Sequence, residues 1–328
     1  MFPLKRVCVL LAIGFLPVAA FGFPLNSKKA PESEADLLSI QEALQEAIPK
    51  AKAATVCVDL GNGTGSGVIV TEDGLVMTAA HVSTGVGKLV TIIMPDGTRL
   101  EATSLGLVAD VDAALIQITE KLPGDKKFPV VEINRDNDTK LADWIFSLGH
   151  SGGFDQARGA VARIGRLVRV ANSTFQTDGT LIGGDSGGPL FDMDGRLIGI
   201  HSRVGPQLPV NMHVPVGQFL ENWDGMLASE FIGEGPFAAK PEKGKGFLGI
   251  ITEKAEGGIL VTKVGKNSPA ESAGIFEGDL LVSLDGEQLE SREGLQDALA
   301  EMVAGNLLVF EVIRDGKNET IEVRLGSR

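Results

Sequence analysis

The sequence has few cysteines, few aromatic residues and a shortage of basic side chains. Its 328 residues include two cysteines and no tyrosine, and aromatic residues make up 5% of the chain. Two cysteines outside any CxxC pair are too few for a disulfide scaffold or for a zinc site with the usual ligand number. The formal net charge of −13 repels phosphate backbones. The sequence therefore predicts neither a metal nor nucleic acid among its ligands.

The sequence also lacks an apolar run long enough to span a membrane. Its longest run, residues 7–21, falls short of the roughly 20 residues that a membrane helix needs. Two basic residues precede this run and small residues follow it, which is the order found in secretory signals. We therefore expect residues 1–22 to be a signal peptide, cut after Gly22 or two residues earlier, and the protein to be exported to the periplasm or secreted. A retained anchor is the alternative.

The length of the chain is sufficient for two domains. In residues 23–53, apolar residues recur at helical spacing behind a Ser33-x-x-Asp capping pattern, which predicts one short amphipathic helix. Residues 54–228 consist of short β-branched runs separated by glycine-rich turns, typical of an all-β barrel or sandwich. Residues 229–245 are rich in Gly, Pro and Lys and predict a linker. Residues 246–328 predict a smaller, β-rich domain with two helices.

Three motifs in the first domain contain a base, an acid and a nucleophile in that order. His81 follows an apolar run in Thr-Ala-Ala-His, and Asp112 precedes one in Asp-Ala-Ala-Leu-Ile. Ser186 lies within Gly-Gly-Asp-Ser-Gly-Gly-Pro. A serine nucleophile needs an imidazole to accept its proton and a carboxylate to orient the imidazole, which predicts these three as catalytic residues. The flanking glycines let the amides of Gly184 and Ser186 converge on an oxyanion, and we expect an oxyanion hole there.

Two alternatives concern the same motifs. Asp110 lies two residues before Asp112 and could take its role, although Asp112 directly precedes the apolar run. The serine motif also fits the nucleophile elbow of esterases, which requires a helix after the serine and an acid and a histidine later in the chain. Here Pro189 leads into a turn and a further strand, and neither His201 nor His213 lies in a convincing catalytic loop. The order His, Asp, Ser is therefore the favoured interpretation.

From about residue 54 to the end, the chain resembles the HtrA (Deg) family of serine endoproteases. Besides the three catalytic motifs, the resemblance rests on Gly65-Ser66-Gly67-Val68-Ile69, Gln176-Thr177-Asp178 and Leu197-Ile198-Gly199-Ile200. It implies a mostly β fold, with a chymotrypsin-like double β-barrel followed by a PDZ domain. It also implies hydrolysis of unfolded or damaged polypeptides through an acyl-enzyme, no cofactor, and a homo-oligomer, commonly built from trimers. By the same resemblance, Ser202 would lie behind Asp112 and donate to it.

The chain departs from the family pattern near the serine. Asp185 stands where HtrA proteins more often have asparagine; in digestive enzymes this aspartate pairs with a newly cleaved N-terminus, but no IVGG-like activation sequence exists here. His150-Ser151-Gly152-Gly153 also replaces the family's commoner Asn-Pro or Tyr-Pro turn. In the specificity pocket, Thr180 is not an acid, so we expect small or medium apolar side chains rather than basic ones before the scissile bond. Arg203, on the strand expected to edge the substrate, would favour acidic neighbours, with ordinary solvent exposure as the alternative.

The second domain contains a candidate peptide-binding loop, Gly246-Phe247-Leu248-Gly249-Ile250. It resembles the carboxylate-binding loop of PDZ domains, in which successive amides bind a chain terminus and the bound peptide adds a strand next to the last of these residues. Leu295 and Leu299, four residues apart on the predicted later helix, would line the same groove. The loop therefore predicts that peptide C-termini bind this domain.

Two functions follow from these features. The first is an exported serine endopeptidase whose PDZ domain binds peptide termini or regulates the protease. The second is a catalytically silent peptide-binding or holdase protein on the same fold, for which the PDZ domain and the atypical Asp185 are the motivation. The complete set of three catalytic motifs favours the protease.

Overall fold

The computed structural model of the protein describes residues 26, 28, 30–136, 138–205 and 210–327. The predicted signal peptide, residues 1–22, lies outside this part of the chain. Within it, no helix combines the length and the apolar character needed to cross a bilayer.

The N-terminal segment forms one helix, α1 (Glu34–Ala54). The Asp36 amide donates to Ser33 Oγ and the Ser33 amide donates to the Asp36 carboxylate, so the predicted capping pattern fixes the start of the helix. Ile40, Ala47 and Ala51 are buried in the main hydrophobic core, to which both barrels described below contribute. The helix therefore packs on its own chain.

Six strands close into a first barrel, called here the N-terminal barrel. They are β1 (Thr55–Asp59), β2 (Thr64–Ile69), β3 (Leu75–Thr78), β4 (Leu89–Ile93), β5 (Arg99–Val108) and β6 (Ala113–Ile118). Their order is β5-β4-β1-β2-β3-β6, and pairing of β5 with β6 closes the ring. A one-turn helix, α2 (Ala80–Ser83), follows β3. Fully buried Met77, Ile92 and Leu115 fill the core of this barrel.

Six further strands close into the C-terminal barrel. They are β7 (Trp144–Gly149), β8 (Val161–Ala171), β9 (Thr174–Thr177), β10 (Pro189–Asp192), β11 (Leu197–Val204) and β12 (Asn211–Pro215). Their order is β10-β11-β12-β9-β8-β7, closed by the pairing of β10 with β7. Two short helices, α3 (Val216–Glu221) and α4 (Trp223–Leu227), follow. The rings of Phe146 and Phe191 stack at 4.9 Å within the core that the two barrels share.

The segment predicted as a linker begins as part of the N-terminal barrel. Its two-residue strand β13 (Phe231–Ile232) pairs in parallel with residues 107–108 of β5. A strand this short leaves no recognisable pattern in the sequence, because the partner strand rather than local periodicity determines its conformation.

The C-terminal domain is a β-sheet with two helices, as expected. Its elements are β14 (Gly246–Phe247), β15 (Ile250–Ala255), β16 (Gly258–Val264), α5 (Pro269–Ser272), β17 (Leu280–Leu284), β18 (Glu287–Gln288), α6 (Arg292–Ala300), β19 (Leu307–Arg314), β20 (Lys317–Arg324) and β21 (Gly326–Ser327). The main sheet has the order β15-β16-β17-β19-β20, and β14 pairs separately with β21. Leu281, Leu308 and Phe310 are fully buried in its core.

This domain packs against the N-terminal barrel next to the loop that follows α2. The Ser327 amide donates to the Gly87 carbonyl at 2.9 Å, and Lys88 Nζ donates to Ser327 Oγ at 2.6 Å. Arg324 donates to the Ala228 carbonyl at 2.8 Å. Residues 324–327 therefore connect the two domains.

Candidate active site

The structure brings His81 and Asp112 together at the rim of the N-terminal barrel. His81 lies in α2, and Asp112 lies immediately before β6. His81 Nδ1 is 3.0 Å from both carboxylate oxygens of Asp112, and the His81 amide donates to the same carboxylate at 3.1 Å. The Asp112 carbonyl in turn accepts from the Ala80 amide, which ties α2 to this aspartate. Asp112 is fully buried while the His81 side chain is 37% exposed. The buried carboxylate therefore orients the imidazole, and the exposed part of the ring is accessible to a substrate.

Ser202 completes the hydrogen bonds to Asp112. It lies on β11 of the other barrel, is almost fully buried, and donates from Oγ to Asp112 Oδ2 at 2.5 Å. Asp110, the alternative acid, instead accepts a hydrogen bond from the Glu234 amide at 3.3 Å. The carboxylate next to the imidazole is therefore that of Asp112.

Ser186 lies in the turn before β10, at the seam between the barrels. The Ser66 amide donates to the Ser186 carbonyl at 2.7 Å, and Ser66 Oγ donates to the Gly184 carbonyl at 2.7 Å, so β2 of the N-terminal barrel holds the turn. Gly187 has a φ of 82°, and a Cβ there would lie 2.2 Å from the Ser66 carbonyl oxygen. Only glycine fits such a position. The next element is strand β10, which does not suit a nucleophile elbow.

Val82, the residue after His81, and the Ser186 carbonyl both lie close to Gly65. A Cβ at Gly65 would meet Val82, the neighbour of His81, at 2.6 Å and the Ser186 carbonyl oxygen at 3.1 Å. Within the described residues, no hydrogen bond joins Ser186 Oγ to His81. Such bonds are often long in unliganded enzymes and shorten when substrate binds.

The backbone of the serine turn leaves two amides for a ligand. The amides of Asp185, Gly187 and Gly188 donate to carbonyls of the turn and of β11. In the part of the chain that the structure describes, the amides of Gly184 and Ser186 donate to no protein group. These are the two amides expected to bind an oxyanion.

The two predicted specificity residues differ in their surroundings. Thr180 is exposed, next to buried Leu181, whose amide donates to Asn211 Oδ1 at 2.9 Å. Arg203 is exposed at the end of β11, and its guanidinium lies 5.2 Å from the centre of the Phe237 ring, within the range of a cation–π contact. The segment predicted as a linker therefore contacts the strand expected to edge the substrate.

The carboxylate-binding loop of the C-terminal domain depends on Gly249. This residue has a φ of 88°, and a Cβ there would lie 2.2 Å from the Ser268 side chain. Leu248 and Leu295 are buried in the domain core, and Leu299 packs against that core half-buried. Ile250 begins β15, an edge strand of the main sheet, so the outer edge can pair with a peptide.

Phe247, in β14, precedes Leu248 in the same loop. It lines a cleft of about 270 Å³ between the C-terminal domain and the N-terminal barrel, together with Leu105, Pro269 and Leu325. The role of Phe247 in the peptide groove stays a prediction.

Family models match both parts of this structure. Residues 65–200 match the trypsin-like peptidase domain, and residues 246–325 match the PDZ domain. The expected fold, a chymotrypsin-like double β-barrel followed by a PDZ domain, is therefore confirmed. The DegP-like names of the relatives given next confirm the resemblance to the HtrA (Deg) family.

The chain is also similar to individual proteins. The probable periplasmic serine endoprotease, DegP-like, of Pseudomonas fluorescens is 26% identical over 323 residues, covering 92% of this chain and 64% of the relative. The protein of the same description from Chlamydia trachomatis is 29% identical over 280 residues, covering 79% and 52%. This chain thus spans about half to two thirds of the length of these curated relatives. A solved serine endoprotease from Yersinia pestis is 22% identical, with a TM-score of 0.49, and the match covers 91% of this chain and 99% of that chain.

Proposed function

We propose that this HtrA-type chain is an exported serine endopeptidase that hydrolyses peptide bonds in unfolded or damaged polypeptides. One observation carries the proposal: His81 lies 3.0 Å from both oxygens of buried Asp112, and its neighbour Val82 and the serine turn both lie close to Gly65. In the described part of the chain, two amides of that turn donate to no protein group. The chemistry needs only side chains and backbone amides, so we propose no cofactor. The silent alternative has no comparable support, since no observation favours it.

In the proposed reaction, Ser186 Oγ attacks the carbonyl carbon of the scissile bond and its proton passes to His81 Nε2. Asp112 stabilises the imidazolium that forms and keeps the Nδ1 proton facing inward. The amides of Gly184 and Ser186 bind the oxyanion of the tetrahedral intermediate. His81 then gives its proton to the leaving amine, which departs and leaves an acyl-enzyme. Water, deprotonated by His81, attacks the ester, and Ser186 recovers its proton when the acid product leaves.

We further propose that the PDZ domain binds peptide C-termini at the loop 246–250, the peptide pairing with the outer edge of β15. Support comes from the left-handed Gly249 and from the unpaired edge of that strand. Leu299, half-buried on α6, would contact the terminal side chain. Such binding would hold a substrate or regulate the protease through the contacts between domains.

The remaining proposals concern the chain as a whole. We propose that residues 1–22 are removed on export to the periplasm, a location supported by the names of the curated relatives. The proposed domain boundaries are 54–228 for the protease, 229–245 for the linker and 246–328 for the PDZ domain. A homo-oligomer, such as a trimer, is proposed from family resemblance, and light scattering on the purified chain tests it.

The direct test is cleavage of an unfolded protein substrate by the chain from residue 23 and by its Ser186→Ala variant. Loss of the nucleophile is expected to lower turnover on the order of 10⁶-fold. Circular dichroism of both proteins controls for folding. If the variant degrades the substrate as fast as the parent, the proposed mechanism is wrong.

A further inference from the structure

Asp185 and Ser151, two of the positions at which the chain departs from the family pattern, contact each other and Arg163 of β8 next to the serine turn. Asp185 is fully buried, and its Oδ1 accepts a hydrogen bond from Ser151 Oγ at 2.6 Å. Its Oδ2 accepts from the Ile182 amide at 2.9 Å and lies 3.1 Å from Arg163 Nη2. Arg163 Nη2 also donates to Ser151 Oγ at 2.7 Å. Asp185, Ser151 and Arg163 are called here the turn-anchoring cluster.

The cluster depends on every one of its members. A buried carboxylate is stable only when a counter-charge and hydrogen bonds replace its lost hydration. Here the Asp185 oxygens together have a hydroxyl, an amide and a guanidinium as partners. The Arg163 side chain is 18% exposed, so the pair is shielded from solvent on both sides. Removing Arg163 alone would leave a fully buried carboxylate without a counter-charge, and the turn would have to open to hydrate it.

The position of Asp185 connects the cluster to the reaction centre. Asp185 lies between Gly184 and Ser186, whose amides are the proposed oxyanion donors. Its amide donates to the Ile182 carbonyl at 3.1 Å, and its carbonyl accepts from the Gly188 amide at 2.8 Å, so the backbone on both sides of it is fixed. A turn that rotates to hydrate Asp185 would move both donor amides, and an oxyanion hole works only with its donors prearranged.

The cluster also bears on how the protease becomes active. In digestive enzymes, the aspartate at this place is neutralised by an N-terminus that cleavage releases. Here a guanidinium from β8 and a hydroxyl from the loop after β7 occupy both oxygens of Asp185 within the folded chain. A guanidinium keeps its charge at all physiological pH values. No released α-amino group is then needed to order the turn.

We propose that Arg163, through Asp185 and Ser151, is a positioning residue that holds the oxyanion-binding turn in its working conformation, so that the protease is competent without cleavage of its N-terminus. The inference rests on the proposed protease function and adds the way its site is kept ordered. Arg163 does not touch the substrate in this scheme. It acts only through the Gly184 and Ser186 amides.

The test is a double-mutant cycle of Arg163→Ala and Asp185→Asn, with kcat and KM measured on one internally quenched peptide. Arg163→Ala is expected to lower kcat about 10²- to 10³-fold, the usual cost of disturbing an oxyanion hole, with little change in KM. In the double variant, the neutral asparagine side chain can accept from the Ile182 amide and donate to Ser151 Oγ without needing a counter-charge. We therefore expect the kcat of the double variant to recover to within about tenfold of the parent. The two substitutions would then be non-additive, because the second offsets most of the loss that the first causes.

Arg169→Ala is the matched control, because Arg169 lies on the same strand but is exposed. It should leave kcat unchanged. The inference is overturned if Arg163→Ala keeps the parent's kcat, or if the double variant is as slow as Arg163→Ala. If Arg163→Ala does not fold, a second measurement decides: the chain from residue 23 with an uncleavable N-terminal extension should retain its kcat, and loss of activity in that protein overturns the inference.

These outcomes differ from failure of the proposed function. A parent protein that cleaves no peptide, and whose Ser186 does not react with a fluorophosphonate, contradicts the protease itself. A parent that is active but indifferent to Arg163 and dependent on a free N-terminus contradicts only the positioning role.

Discussion

The two barrels have the same strand order but differ in what fills them. Numbered within each barrel, both rings run 1-2-3-6-5-4. The buried polar groups of the N-terminal barrel are hydroxyls, apart from Asp112 at its rim, whereas the C-terminal barrel buries His201 and His213 inside and Asp185 at its rim. The first barrel shows that this topology closes without carboxylates or imidazoles in its interior. The buried histidines and Asp185 of the second barrel are therefore not needed to close it. They lie next to the serine turn.

The histidine pair shows the difference most clearly. His201 Nδ1 lies 2.9 Å from His213 Nδ1, and His213 Nε2 lies 2.8 Å from Thr177 Oγ1. The backbone of His201 bonds on both sides to Gly187 and Gly188 of the serine turn. Burial lowers the pKa of His201 to about 3, with the nearby Arg163 charge contributing, and lowers the pKa of His213 well below its usual value. Both rings are therefore neutral at physiological pH.

The largest loss of activity in this comparison is expected from substitution of Asp112, the buried acid of the N-terminal barrel. Asp112→Asn should preserve the fold but lower kcat about 10⁴-fold, because an amide stabilises the wrong imidazole tautomer and cannot stabilise the imidazolium. Hydrolysis of a quenched peptide measures the loss. Asp110→Asn is the control, since Asp110 accepts from the Glu234 amide instead. Equal losses in the two variants would contradict the assignment of the acid.

A smaller loss of activity is expected from substitution of Ser202, through which the C-terminal barrel donates a hydrogen bond to Asp112. Ser202→Ala removes one hydrogen bond to a buried carboxylate, and such bonds contribute about 1.5–3 kcal/mol, or roughly 10- to 100-fold in kcat/KM. His81 still holds both carboxylate oxygens in this variant, so activity should fall without vanishing. A loss as large as that of Asp112→Asn, or none, would show that Ser202 does not share the carboxylate as the structure indicates.

Local patterns predicted much of this site, and the reason lies in its chemistry. His81, Asp112 and Ser186 each lie in a short motif whose neighbours define the backbone they need, and the Ser33 cap indicated the start of α1. Arg163 was missed because it lies on β8 among other basic residues, and only the register of the closed barrel brings it beneath Asp185. The contact between the two buried histidines likewise depends on barrel register and leaves no local signal.

The contact between the domains was not predictable either. The hydrogen bonds of Ser327 with Gly87 and of Arg324 with Ala228 join residues that lie far apart in the sequence. No periodicity can specify such contacts, since they follow from how the completed domains pack. The linker composition therefore predicted a boundary between the domains but not the contacts that join them.

The remaining expected effect is on stability in mild acid rather than on activity, and it concerns the two histidines inside the C-terminal barrel. The pKa values of His201 and His213 are lower in the folded protein than the usual 6.5, so the unfolded chain binds more protons between about pH 3 and pH 6.5. The free energy of unfolding should therefore fall as pH decreases through that window, by up to about 1.4 kcal/mol per pH unit for each histidine. Above pH 6.5 the contribution is fully present.

Urea unfolding at a series of pH values measures this effect, with the variant His201→Leu/His213→Leu as the reference for all other titrating groups. The parent should lose stability more steeply than the variant below pH 6.5. Parallel curves would contradict the view that the second barrel keeps two neutral histidines inside.

The most direct test of the central claim is reaction of the folded chain with a fluorophosphonate, followed by peptide mapping. We expect one covalent adduct, on Ser186. Its formation should be slower in Arg163→Ala and absent in Ser186→Ala. A folded protein that gains no adduct, or gains it on another residue, would contradict the assignment of this turn as a serine-protease centre.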